Sequence, residues 1–334
     1  MKTRRSTAVL LALAIGASLL AGCSAAGAGT TTQGGTLNID FATYNPLSLI
    51  IKQQGWLEAE LGKQGITVNW VKSAGSNKAN EALRAAAIDV GSTAGSAALL
   101  ARSNGSPIQV IDIYSQPEWS ALVVPADSDI KTVADLKGKK IAATKGTDPY
   151  FFLLQSLEQA GLSASDVTVE VLQHADGWAA LQNGSVDAWA GLDPIMAGAE
   201  AAGATLLYRN VGFNSYGFLN ATEAFINGRP DVAQAVVDAY EQARAWAQAN
   251  PEETARYLSE EAGLDIAVAT KVITERSNLD VDPVPGDAQR TVLAKIGPIF
   301  VESGDVTSQD TIDAALASLI NDTFVKQANP SRFE

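Results

Sequence analysis

The sequence predicts an α/β protein with mainly parallel sheet, divided into two related lobes. Three observations predict it. From Thr36 onward, short β-rich runs alternate with amphipathic helical stretches, the pattern of strands joined by crossover helices. The segment A-L-R-A-A-A-I-D-V-G-S-T-A-G-S-A from Ala82 aligns with A-L-Q-N-G-S-V-D-A-W-A-G-L-D-P-I from Ala180, which sets Asp89 against Asp187. A second pair, T-Y-N-P-L from Thr43 and G-T-D-P-Y from Gly146, aligns in the same order and at nearly the same offset. Each copy reads as strand, short polar turn and helix start.

Residues 1–22 read as a secretory signal: a basic start, M-K-T-R-R, then an apolar stretch from Ala8 to Ala21 broken only by Gly16 and Ser18. That stretch is shorter than the roughly 20 residues a spanning helix needs. It ends in L-A-G-C, with the one cysteine of the chain, Cys23, in last place. The run resembles a bacterial lipobox, which implies lipidation of Cys23 and a mature N-terminus there. Residues 23–35 carry no large apolar side chain and are expected to form a flexible tether behind that cysteine.

About 300 residues follow, enough for one large or two medium domains. Strands are expected at 37–41, 67–71, 90–91, 108–113, 140–143, 168–172, 186–190 and 205–208, with helical runs such as 47–61, 78–87, 150–160 and 177–183 between them. The last third reads as helical. Arg229-Pro230-Asp231 opens a helix with Val232, Val236 and Tyr240 on one face, and Asn250-Pro251-Glu252-Glu253 supplies an N-cap, a proline and an acidic first turn for the next. These helices are expected to pack on the first lobe, with Glu260, Glu261, Arg256 and Lys271 on a solvated face.

Composition excludes several functions. The chain has 24 basic against 37 acidic side chains, and three of the basic ones, Lys2, Arg4 and Arg5, fall in the signal, so a nucleic-acid partner is not expected. With a single cysteine there is no internal disulfide, and the cores alone must hold the fold. His174 is the sole histidine, no H-E-x-x-H accompanies it, and G-S-T-A-G has threonine where a nucleophile elbow needs serine. No catalysis, cofactor or metal is expected.

In open α/β sheets, ligands bind beyond the carboxyl ends of the strands, where helix starts converge. Here that places the turns after Phe41, Gly91, Thr144 and Ala190 around one cleft. The candidate ligand-binding residues are Tyr44, Asn45, Ser76, Ser92, Thr93, Gln116, Trp119, Thr147, Asp148, Tyr150, Asp193 and Tyr216. Ser92 and Thr93 offer hydroxyls and backbone N–H groups, while Tyr44, Trp119, Tyr150 and Tyr216 offer apolar walls. Trp189 lies inside a strand and also fits core packing.

The runs A-G-S-N-K-A-N-E-A-L-R-A-A-A-I-D-V-G-S-T-A, I-K-T-V-A-D-L-K-G-K-K-I-A-A-T-K-G-T and N-G-S-V-D-A-W-A-G-L-D-P resemble the aliphatic-sulfonate, taurine and nitrate branch of solute-binding proteins of ABC importers. The likeness covers essentially the whole mature chain. It implies a type II periplasmic-binding-protein fold: lobe one at 36–114 plus 217–334, lobe two at 120–213, and hinge crossings at 115–119 and 214–216. It further implies a monomer, lipid-anchored outside the cytoplasm, that captures a small organic solute for an ABC permease and its ATPase. A sensor partner of a membrane receptor, or an importer for an amine-bearing or aromatic solute, stays open. The chain departs from its relatives in having Leu192 and Ile195 around Asp193-Pro194, where close relatives have tryptophan and tyrosine.

It departs again after Lys145-Gly146, where the sulfonate binders carry hydroxyl residues and this chain has Thr147-Asp148-Pro149. An ionised aspartate about 4 Å from a sulfonate would repel it by on the order of 4 kcal/mol at an effective dielectric near 20. A bare alkanesulfonate head is therefore not expected at this turn. Three roles for Asp148 remain: an N-cap over the N–H groups near Phe151, an acceptor for a ligand donor, or a reader of the far end of a zwitterion whose anion sits at Ser92 and Thr93.

Overall fold

The computed structural model describes residues 34–333; the signal, Cys23 and most of the tether lie outside the described residues. Ten strands form: β1 (Gly35–Phe41), β2 (Ile66–Lys72), β3 (Val90–Ala94), β4 (Ile108–Ser115), β5 (Ser120–Val124), β6 (Lys140–Ala143), β7 (Thr168–Val171), β8 (Ala188–Leu192), β9 (Thr205–Arg209) and β10 (Gly217–Thr222). They assemble into two five-stranded sheets of matching order, β2-β1-β3-β10-β4 and β7-β6-β8-β5-β9. Each sheet has one strand, β10 or β5, antiparallel to both of its neighbours, and the other strands run parallel.

All eight strands expected from the sequence form, the one at 186–190 starting two residues later. β5 and β10 are additional. Each enters its sheet straight from a crossing with no helix before it, so a strand-helix alternation does not mark it. The chain leaves the first sheet at the end of β4 and becomes β5 of the second; it leaves the second after β9 and returns as β10 of the first. Each sheet thus receives its antiparallel strand from the other.

The internal repeat is a repeat of hydrogen bonds. Asp89 Oδ2 accepts from the N–H of Asn38 in β1, and Asp187 Oδ2 from the N–H of Lys140 in β6, both at 2.8 Å. The two aspartates return their own N–H groups to the carbonyls of the same residues, at 2.7 and 2.8 Å. In each sheet one carboxylate therefore pins the loop entering the third strand to the start of the first.

Two helical expectations change. The run 47–61 is two helices, Pro46–Gln54 and Trp56–Gly62, because Gly55 takes a left-handed φ of 67° and ends the first. The last helices do not serve one sheet alone. Phe300, fully buried on the helix Asp287–Glu302, packs on Phe151 with ring centroids 4.5 Å apart, in a core that holds residues of both sheets. Lys271 keeps the solvated position expected of it, its side chain 39% exposed, and pairs there with Glu200 at 3.0 Å.

Candidate functional site

The two crossings run side by side, and glycines permit it. A methyl group on Gly217 would come within 2.4 Å of the Tyr114 ring and 2.5 Å of Ser115 Oγ. One on Gly95, at the start of the helix Gly95–Ser103, would lie 2.3 Å from the Ser215 carbonyl oxygen. That close approach lets the Gly95 N–H donate to Tyr216 O (3.1 Å) and the Ser96 N–H to Ser215 Oγ (2.8 Å). Tyr216 takes a φ of +66° to make the bend.

Asp148 ties these segments together. Its Oδ1 accepts from the hydroxyls of Ser96 and Ser215, each at 2.5 Å; its Oδ2 accepts from Trp119 Nε1 at 2.9 Å and from the Ser215 N–H at 2.8 Å. Four donors fill the roughly four acceptor sites of a carboxylate. Burial raises the Asp148 pKa, and the bonds from Ser215, Ser96 and Trp119 oppose that rise. The capping role expected for Asp148 does not form: Thr147 is the N-cap of the helix Asp148–Gln159, and no side chain caps it. The acceptor capacity that a ligand amine would need is also spent, on the crossings.

Beside this anchor runs a narrow seam between the sheets. The seam is nearly closed: one part, lined by Tyr44, Ser76, Trp119, Thr147, Asp148 and Leu192 among others, has no room for a water molecule, and a second, with a cavity of about 10 Å³, shares Tyr44 and Trp119 and continues to Asp193 and Arg276. Tyr44 and Trp119 meet edge to face with centroids 6.1 Å apart, and the Tyr44 hydroxyl donates to Ser92 O at 3.0 Å. The seam thus gathers Tyr44, Ser76, Trp119, Thr147, Asp148 and Asp193.

The remaining candidates go elsewhere. β3 runs on to Ala94, so Ser92 and Thr93 are interior strand residues and not a turn. The Ser92 N–H and hydroxyl both donate to Asp40; the Thr93 hydroxyl accepts from Asn220 and donates to Ala94 O. Neither offers the anion a donor. Asn45 caps the helix Pro46–Gln54 and donates to the Tyr240 hydroxyl, facing the core. Gln116 holds Asn278 through its backbone, Tyr150 packs on Phe151, and Tyr216 serves the bend. None of these three lines the seam.

Two residues enter that the sequence did not single out for binding. Arg276 ends a π-helical turn, Val272–Arg276, and is 2% exposed. It donates to Asp193 at 3.2 and 3.3 Å and to Glu200 at 2.5 Å, while its Nε–H has no partner. Burial pushes the Asp193 carboxyl up to about 6, and Arg276 opposes the rise. Nothing in I-T-E-R-S-N signals this role; only the tertiary fold brings a late helix to Asp193. His174 is 1% exposed, and burial pushes its imidazole down to about 3. Among the described residues no cluster of metal-ligating side chains occurs, and no helix is long and apolar enough to cross a membrane.

Two sheets of matching order that exchange one strand through paired crossings, with helix starts facing each other over a seam, make the two-lobed fold of the periplasmic binding proteins. Residues 49–254 match the family described as NMT1/THI5 like. A Bacillus subtilis (strain 168) protein named as an aliphatic sulfonates-binding protein is 33% identical over 268 residues, 78% of this chain and 80% of its own. The chain belongs to the NMT1/THI5-like family and, within it, groups with the aliphatic sulfonate-binding proteins. The alkanesulfonate-binding protein SsuA from Xanthomonas axonopodis pv. citri, solved bound to MOPS, is similar at TM-score 0.77 and 26% identity over 86% of this chain and 98% of that one. The periplasmic aliphatic sulphonate binding protein SsuA from Escherichia coli is similar at TM-score 0.72 and 27% identity over 83% and 90%. The desulfurization enzyme DSZB, at TM-score 0.65 and 16% identity over 88% and 98%, shares the fold alone.

Proposed function

We propose that this chain is an extracytoplasmic lipoprotein, anchored through Cys23, that takes a sulfonate-bearing solute into the seam and hands it as a monomer to an ABC permease and its ATPase. The observation that carries the reading is the convergence of Tyr44 and Ser76 from the first sheet's side, Thr147 from the second's and Trp119 from a crossing on one narrow space. A solute there touches both halves at once, so binding and hinge closure are coupled.

Sulfonate oxygens only accept hydrogen bonds, so their place is set by donors. The Arg276 Nε–H is buried, cationic and unpartnered, and Ser76 Oγ accepts from the Ala94 N–H at 2.9 Å, which leaves its hydroxyl hydrogen for a ligand. Asp148, saturated by its own donors, works on the crossings and not on the solute. The chain's one imidazole supports a non-catalytic reading. Thr144 gives its hydroxyl hydrogen to Leu172 O at 2.7 Å, so the 3.1 Å contact to His174 Nδ1 has the wrong polarity for a base to activate a nucleophile.

A thermal-shift panel of alkanesulfonates, carboxylates and nitrate tests the reading. A sulfonate at about 100 times its Kd should stabilise the fold by roughly 2.7 kcal/mol. A carboxylate or nitrate shifting the transition while no sulfonate does would refute it.

A further inference from the structure

Arg276 is held by carboxylates that its own half of the molecule does not supply. It ends a helical stretch whose Val272 and Ile273 pack in the core of the first sheet, with Leu37 and Ile39. Its backbone carbonyl accepts from the Glu118 N–H at 2.9 Å, which seats it along the first crossing. Both anionic partners come from the second sheet's side: Asp193 follows β8, and Glu200 lies on the next helix, Ile195–Ala201. Asp193 accepts from Nη1 and Glu200 Oε2 from Nη2, so the two terminal nitrogens are taken and Nε–H alone is left, on a buried side chain that lines the seam. Asp193 also accepts the Ala197 N–H at 2.9 Å and is set by its own helix. Glu200 is not: among the described residues its carboxylate bonds only to Arg276 and to Lys271, which donates to the same Oε2 at 3.0 Å.

We propose that Glu200 is a positioning residue for the site: reaching across from the second half, it turns the Arg276 guanidinium so that Nε–H meets the solute once the halves close. This role rests on the sulfonate reading above and adds the condition under which the cation is presented. A guanidinium is planar and carries its donors in a fixed fork, so holding both terminal nitrogens fixes where Nε–H points. With the halves apart, Asp193 and Glu200 leave with their own side, the long side chain turns among its rotamers, and the donor is no longer aimed. Lys271 plays a lesser part. Its side chain and that of Glu200 are 39% and 31% exposed, and a pair so open to water contributes little, whereas the bond from buried Arg276 is charge-assisted and shielded. Glu200 borders an open crevice of about 300 Å³ between Ala197, Ala201, Ala267 and Val268, so truncating it empties no core.

The test is stopped-flow binding of propanesulfonate to the full chain, in wild type, Glu200→Ala, Lys271→Met, Arg276→Met and the double variant of Glu200→Ala with Arg276→Met. Glu200→Ala should raise the off-rate about fivefold and leave the on-rate unchanged, because the aimed donor is lost from the closed complex alone. In the Arg276→Met background the same substitution should change nothing, since it acts through that side chain. Lys271→Met should stay within about twofold of wild type. Equal losses in both backgrounds, or a loss confined to the on-rate, would overturn the assignment and leave the sulfonate reading standing. Should no sulfonate bind, that reading fails, and hydrogen exchange of the Arg276 Nε–H in the solute-free protein decides the positioning role by itself. That resonance, identified by its loss in Arg276→Met, should exchange about tenfold faster in Glu200→Ala than in wild type; equal exchange would overturn the role.

Discussion

The indole N–H of Trp119 donates to Asp148 Oδ2 over 2.9 Å, joining the first crossing to the opening turn of a helix of the second sheet. The same carboxylate takes the Ser215 N–H from the second crossing and the Ser96 hydroxyl from the first sheet's side. One buried charge thus fixes both crossings relative to both sheets. Trp119→Phe keeps the ring and removes the donor. It should lower stability by about 1–3 kcal/mol in urea titrations, since the carboxylate stays buried with one acceptor position empty. A change within a few tenths of a kcal/mol would show that the bond carries nothing.

The crossings also depend on the absence of two side chains. Gly95→Ala places a methyl 2.3 Å from a backbone oxygen, and Gly217→Ala places one 2.4 Å from the Tyr114 ring. Each should cost about 3 kcal/mol, Gly95→Ala more, because a backbone carbonyl gives way less easily than a ring. Thermal midpoints of the two variants check this, with Gly228→Ala, where nothing lies within 4 Å, as the silent control.

Much of this architecture was legible before any coordinates. The Asp89 and Asp187 alignment marked a true duplication, because both copies need a carboxylate at the same hydrogen-bonding position. Tyr44, Ser76, Thr147 and Asp193 come together at the seam because turns after parallel strands converge by topology, and Trp119 joins them from a crossing. The rest was not. Ser92 and Thr93 read as a turn because nothing local shows that β3 runs to Ala94, and their hydroxyls are spent on Asp40 and Asn220, one distant in sequence by a whole helical unit and the other on a strand that returns late. Asp148 misled in the same way: Asp-Pro at a helix start is a capping signature, and only the crossing brings Ser215 and Trp119 to it. Arg276 has no sequence signal at all.

Asp40, fully buried beneath Ser92, has its carboxyl pushed up to about 7 by burial, against the bonds from Ser73 and Ser92. A raised carboxyl pKa means the folded state holds a proton that the unfolded chain, at about 3.9, has released. Its contribution to stability is therefore full below about pH 4, falls as pH rises toward 7, and is flat above. Asp193, at about 6, adds a similar fall over a shorter window. Urea titrations from pH 4.5 to 8 should show wild-type stability losing ground relative to Asp40→Asn up to about pH 7. Parallel curves would contradict the assignment.

Arg276→Met removes the cation beside Asp193 and the free Nε–H together. Breaking a buried pair costs about 3–5 kcal/mol when the partner stays charged. Here Asp193 can take up a proton, so the loss should be smaller at pH 5 than at pH 8. At pH 5, where the variant folds best, sulfonate affinity should still fall by at least about tenfold, corresponding to about 1.4 kcal/mol. Unchanged affinity in calorimetry would remove Arg276 from the site.

The central claim is that solute sits in the seam walled by Tyr44 and Trp119, in contact with both halves. Crystals grown with 2-bromoethanesulfonate, measured at the bromine absorption edge, test it most directly. The account predicts one anomalous peak between Ser76 and Thr147, against Trp119. A peak outside the seam, or none in crystals of a protein that binds the same compound in solution, contradicts it.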